Sequence, residues 1–211
     1  MTTAIFWQLS SLFTFILLIT SLIIPVYNRT GLMMRLYCIL MELTDVSSQI
    51  LAMNSIKNYF VFQIMLWVEI PILIILFCYE TPSLRKKEIP LIIIAYLCMF
   101  LVFYLFESFN NIGTYSRFTE SIFIIVFALI YYNNELKNPQ SENILRNTGF
   151  WFISAFLIYY GGTLLVSLSA RYIFLQSKSI SKVWAIHNSF DLIKDIIIFY
   201  GLLCYRKAVK A

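Results

Sequence analysis

Charge is scarce in this sequence: 13% of its 211 residues are Asp, Glu, Lys or Arg, against 60% apolar residues. Soluble domains carry about 25% charged residues, so this chain is not built for water as its main solvent. Histidine is scarcer still, with His187 alone. That excludes an H-E-x-x-H zinc site and the seven-helix zinc hydrolases related to ceramidases and progestin receptors, which need several histidines. There is no G-x-S-x-G and no paired-Asp protease motif, so the chain reads as a non-enzyme without a cofactor. The four cysteines, Cys38, Cys78, Cys98 and Cys204, form no C-x-x-C pair and sit in or beside apolar runs, which predicts buried free thiols. With six glycines and five prolines there is no low-complexity segment.

Long apolar runs are what the chain does have. They cover residues 5–27, 32–54, 59–79, 89–106, 118–132, 150–170 and 183–205, and the mean hydropathy is +0.79. Since about 20 apolar residues cross a bilayer as a helix, the expectation is all-α: one domain over residues 1–211, a polytopic seven-transmembrane-helix bundle. The fifth run is short and begins beside Arg117 and Glu120, which leaves six spans and a re-entrant segment as the alternative. Residues 1–8 carry no Lys or Arg and no small-residue cleavage site precedes Arg29, so the first run reads as a retained span, not a signal peptide.

The net charge of +5 is spread over loops, which argues for topology and against nucleic acid. An N-out/C-in arrangement puts Arg29, Arg35, Arg85, Lys86, Lys87, Lys137, Arg146, Arg206, Lys207 and Lys210 inside. Lys57, Arg117, Arg171, Lys178 and Lys182 then fall outside, ten against five, with Lys194 within a helix. That bias of basic residues toward the cytoplasm supports N-out and C-in for a membrane protein in contact with lipid.

Ionisable groups within a span cost about 2.5–3.5 kcal/mol each and turn inward to find partners. On the seventh segment His187, Asp191 and Lys194 share one stripe, with Asp195 at its edge. On the second, Arg35, Cys38, Glu42, Asp45 and Gln49 recur at steps of three and four. The third adds Glu69, two residues before Pro71, whose ring removes a backbone donor and favours a bend. The expected site is therefore Glu42, Asp45, Gln49, Glu69, His187, Asp191, Lys194 and Asp195, between helices 2, 3 and 7. Its acid excess suits a proton, an ion or a small polar or cationic ligand, and a purely structural polar network is the plainer reading of the same residues.

Other features carry less. Gly161 and Gly162, above Thr163 and Ser167, suit close helix packing. Glu107, Asn110, Asn111, Arg117 and Glu120 read most simply as a solvated outer loop. Arg85-Lys86-Lys87 reads as an anchor near anionic lipid. Pro139-Gln140 lies in a polar loop and is a chance match to the PQ-loop transporter signature. No internal repeat is visible, which weakens a transporter built from duplicated halves. Lys194 and Glu69 are placed like the retinal lysine and third-helix counter-ion of microbial rhodopsins, but no surrounding motif matches.

Phe118-Thr119-Glu120-Ser121, Phe150-Trp151-Phe152-Ile153-Ser154 leading to Tyr159-Tyr160-Gly161-Gly162, and Ile186-His187-Asn188 through Asp191-Leu192-Ile193-Lys194 carry a resemblance. They resemble an uncharacterised family of short seven-helix membrane proteins common in Bacteroidota. Its members often lie beside two-component signalling genes, which implies a sensory role through a partner such as a histidine kinase. The position of Asp191 is commonly Asn in that family, so this chain departs from the pattern with an extra acid beside Lys194. The expected function is a sensory or ligand-binding membrane protein, with a small-solute or proton-coupled transporter as the alternative.

Overall fold

A computed structural model of the chain describes residues 2–107, 114–139, 144–175 and 180–210, with side chains described over 8–107, 114–139, 144–167 and 185–206. Asn110, Asn111, Gln140 and Lys178 lie outside these residues, and the side chains of Arg171, Lys182, Lys207 and Lys210 outside the described side chains. The described residues contain seven α-helices and no strand: α1 Thr2–Ile23, α2 Arg29–Met53, α3 Tyr59–Glu80, α4 Glu88–Phe106, α5 Thr114–Lys137, α6 Thr148–Leu175 and α7 Ile180–Lys210. A single 3-10 turn, Ile144–Arg146, precedes α6.

Five helices, α2 to α6, are long and apolar enough to cross a membrane, as in a multi-pass membrane protein. Over its described side chains α7 carries Asp191, Lys194 and Asp195 close together, and these charges lower its apolar character. α5 differs from its sequence expectation. It begins at Thr114, ahead of the apolar run, and is a continuous 24-residue helix. The re-entrant alternative has no support in its length.

Contacts fix the helix directions. Ser10 meets Asp191 and Thr14 meets Asp195, so α1 and α7 run parallel. Gln49 meets Ser11 while Arg35 meets the carbonyl of Ser21, so α2 runs against α1. Ser121 with Thr163 and Tyr132 with Ser154 make α5 and α6 antiparallel. Trp151 against Tyr200 and Phe190 against Gly162 do the same for α6 and α7. The odd-numbered α1, α5 and α7 therefore all begin at one end of the bundle. α3 begins there too, since Glu69 meets Arg117 and Phe77 meets Phe127.

Local chemistry explains several joints. Asn28 caps α2, its Oδ1 accepting from the Gly31 N–H at 2.9 Å. Arg35 donates to the carbonyls of Ser21 at 3.0 Å and Ile24 at 2.5 Å, at the C-terminal end of α1 where carbonyls lack helical partners. Pro71 cannot donate to the Trp67 carbonyl four residues earlier, yet α3 runs through it unbroken. The missing donor comes from α4: Tyr96 gives its hydroxyl proton to the Trp67 carbonyl at 2.6 Å, and the two rings stack at 5.6 Å. α6 and α7 approach closely through reciprocal glycines. A Cβ on Gly162 would stand 2.4 Å from the Phe190 ring, and one on Gly201 would stand 2.7 Å from Phe152. Gly161 faces open space.

The outer wall is apolar. On α4 only Ala95 and Met99 are buried, while Ile93, Leu97, Phe100 and Leu101 are exposed. Such a surface would associate in water and is at ease against lipid tails.

Candidate functional site

Charged residues inside the bundle form two clusters toward the end where α1, α3, α5 and α7 begin, while buried Glu135 and half-buried Glu80 lie toward the other end. The first belongs to α7. Lys194 has no exposed surface; its Nζ is 2.5 Å from Asp191 Oδ1 and 3.3 Å from Asp195 Oδ1. These three are neighbours because residues three and four apart share a helix face. The far oxygens of both acids are held by α1, where Ser10 donates to Asp191 Oδ2 at 2.5 Å and Thr14 lies 3.1 Å from Asp195 Oδ2. Two rings complete the surroundings of the ammonium: Tyr159 of α6, its centre 4.7 Å away, and Tyr37 of α2, at 5.6 Å. His187 packs its ring 5.8 Å from that of Tyr159.

The second cluster joins three helices. Glu69 on α3 and Glu120 on α5 are both fully buried. Their Oε2 atoms meet one nitrogen of Arg117, Nη1, at 3.5 and 3.2 Å. Their Oε1 atoms meet one phenol, the Tyr160 hydroxyl on α6, at 2.6 and 3.3 Å. The other guanidinium nitrogen of Arg117 donates to the Phe62 carbonyl at 3.3 Å. Above this, Glu107 caps the start of α5, accepting from the Ser116 N–H at 3.0 Å and from the Ser116 hydroxyl.

The expected site residues divide between these places. Asp191, Lys194 and Asp195 stand together, and Glu69 lies in the other cluster. The hydrogen bonds of Asp191, Asp195 and Gln49 to another helix go to α1, which packs on both α2 and α7. Gln49 donates to Ser11 at 2.9 Å. Asp45 lies within electrostatic reach of Asp191 and Lys194. Glu42 is half-buried, with one carboxylate oxygen shielded and without a hydrogen-bond partner. Across the middle, α2 reaches the Lys194 cluster through Tyr37, which the polar stripe did not include.

Sequence reasoning missed Arg117, Glu120, Tyr160, Ser10, Thr14, Tyr37 and Tyr159. Arg117 and Glu120 are not a solvated loop; they are an ion pair at i, i+3 on α5, with Glu120 buried and Arg117 half-buried. That spacing was the available signal. Tyr37 is 1% exposed and its hydroxyl has no hydrogen-bond partner.

Toward the other end of the bundle both clusters give way to an apolar layer. Met34, Leu73, Phe77, Phe152, Phe156 and Ile198 are all buried, one or two turns beyond Tyr37, Glu69, Tyr160 and Lys194. The side facing the helix starts is less closed: Arg117 keeps 24% of its side chain exposed and Asp191 16%.

No family model matches the chain, no curated protein matches it, and no solved structure matches it. Its chemistry has to be drawn from this geometry. Among the described residues no group of His, Cys, Asp and Glu is arranged to hold a metal ion.

Proposed function

We propose that this chain is a seven-span protein of the bacterial cytoplasmic membrane, N-terminus outside, that binds a proton, small cation or small polar ligand in its charged interior. It passes that occupancy to a separate signalling partner such as a histidine kinase. One observation carries the reading: in the two clusters four carboxylates, Glu69, Glu120, Asp191 and Asp195, stand against two cations, Arg117 and Lys194, a surplus of 4 − 2 = 2 negative charges. A lock built for stability alone would balance its charges, because each surplus charge in low dielectric is costly. Protons or a cation supply the balance, and their gain or loss changes the packing of every helix that touches the clusters.

Two further points support a receptor over a transporter, and a third argues against a retinal protein. The exposed fringes of Arg117 and Asp191 lie at the end that is outside in this topology, and the apolar layer closes the way inward. The resemblance to seven-helix proteins encoded beside two-component genes gives the partner class. Lys194 is already engaged by two carboxylates and two rings, which disfavours a retinal imine at that amine.

The test uses intact cells carrying the neighbouring kinase. Acidifying the medium should change kinase autophosphorylation in the wild type, and Glu69→Gln should abolish the change while the protein stays in the membrane. Kinase output unaffected by deleting the chain would refute the signalling role. In proteoliposomes under a pH gradient the wild type should pass no net protons; a flux removed by Glu69→Gln or Lys194→Met would make the chain a transporter.

A further inference from the structure

The Glu69–Tyr160–Glu120 unit sets a problem in hydrogen counting. A phenol carries one proton and donates once. Tyr160 has two carboxylate oxygens in reach, Glu69 Oε1 at 2.6 Å and Glu120 Oε1 at 3.3 Å, and both residues have no exposed surface. If Tyr160 donates to the nearer Glu69, the Glu120 oxygen faces the phenol oxygen, lone pair against lone pair. The contact becomes favourable when Glu120 itself carries a proton and donates it to Tyr160. The charges agree: with Glu69 ionised, Glu120 protonated and Arg117 cationic, the cluster is neutral, whereas two ionised acids leave it at −1.

A second observation lies outside the hydrogen bonds of the unit and within electrostatic reach of it. Tyr37 is 1% exposed, its hydroxyl has no hydrogen-bond partner, and it interacts electrostatically with Lys194, Glu69 and Tyr160. A buried hydroxyl left dry costs about 1–3 kcal/mol, and a bound water removes that cost.

We infer that Glu69 and Glu120 share one exchangeable proton through Tyr160, and that Tyr37 holds the water by which it exchanges. The transfer is balanced. The proton on the Glu120 carboxyl moves to the Tyr160 oxygen while the phenol proton moves to Glu69 Oε1; one O–H bond forms as each breaks, Arg117 keeps its charge, and both end states are neutral. When the proton leaves for water, Tyr160 can satisfy only one acid, and the junction of α3, α5 and α6 loosens.

The titratable and charged neighbours are Arg117 on α5, Tyr159 on α6, Tyr37 on α2, His187, Asp191 and Lys194 on α7, and Glu107 of the α4–α5 connection, which caps α5. The described face of α1 contributes the hydroxyls of Ser10 and Thr14 to the Lys194 cluster. This rests on the proposed function only in calling the proton a signal, since its presence can be measured with no partner.

The experiment is infrared difference spectroscopy of the full chain in lipid nanodiscs, in H2O and D2O. The wild type should show a protonated-carboxyl C=O band that shifts in D2O. Glu120→Gln should remove it. Glu69→Gln should remove it too, because Arg117 then balances an ionised Glu120. Tyr160→Phe should keep the band and move its frequency, Asp195→Asn should leave it in place, and Tyr37→Phe should slow its exchange into D2O severalfold. Survival in Glu69→Gln of the band that Glu120→Gln removes, or the absence of any such band, overturns the shared proton. Unchanged exchange in Tyr37→Phe overturns the water route. Should Glu120→Gln fail to fold, Glu69→Gln decides. Loss of kinase response with these spectra intact would count against the signalling role alone.

Discussion

The two interior clusters use the same arithmetic, one cation for two carboxylates, and differ in where their members come from. Asp191, Lys194 and Asp195 all sit on α7, so the ion pairs survive any movement of that helix as a body. Glu69 comes from α3, Tyr160 from α6 and the Arg117–Glu120 pair from α5, so every distance except the one within that pair changes whenever those helices shift. The contact lengths overlap, 2.5 and 3.3 Å for Lys194 to its two acids and 3.2 and 3.5 Å for Arg117 to its own, so the contrast lies in the origin of the members. The α7 cluster is a self-contained brace anchored on α1. The α3–α5–α6 cluster is the one whose charge state is tied to packing, which suits it to report occupancy.

Substitutions can break this contrast, and the largest effect belongs to the brace. Lys194→Met leaves Asp191 and Asp195 without their cation and should cost about 3–5 kcal/mol. Unfolding in detergent measures it, and adding Asp195→Asn should restore part of the loss. Arg117→Met should cost less, about 1–3 kcal/mol, because Tyr160 still donates to Glu69 and one of the two acids carries the proton. If Arg117→Met proves the costlier of the two, the brace has been assigned to the wrong cluster. Gly162→Ala drives a methyl into the Phe190 ring and should cost about 1–3 kcal/mol by overpacking, with Gly161→Ala close to neutral. Tyr96→Phe removes the donor to the Trp67 carbonyl and should cost about 1 kcal/mol. Lys57→Ala, on the exposed α2–α3 connection, should leave the melting temperature unchanged.

The same contrast explains what the sequence made legible. The α7 cluster is visible because its spacing is helical and its members are charged. Its α1 partners, Ser10 and Thr14, are ordinary small hydroxyls in an apolar run and carry no signal before α1 is laid along α7. The other cluster is scattered over the chain from Glu69 to Tyr160, and hydropathy works against it. Arg117 and Glu120 lower the local average, so the fifth run seemed to begin at residue 118, while the helix begins at Thr114 and buries Glu120. A charge neutralised by residues far away in sequence looks like a solvated charge until its partners are known. Pro71 teaches the same lesson: its missing donor was legible, and the Tyr96 hydroxyl that serves the Trp67 carbonyl in an unbroken α3 was not. The seven helices themselves were plain, because a run of apolar residues needs no partner to be recognised.

The central claim is an interior site open toward the outside and sealed by an apolar layer toward the cytoplasm. Thiol labelling tests it most directly, in a chain whose native cysteines are replaced and which carries either His187→Cys above the layer or Ile198→Cys within it. A membrane-impermeant maleimide added to intact cells should modify the cysteine at 187 and spare the one at 198, and inverted vesicles should leave both unmodified. Labelling at 187 only from the cytoplasmic side, or at 198 from either side, would contradict the account.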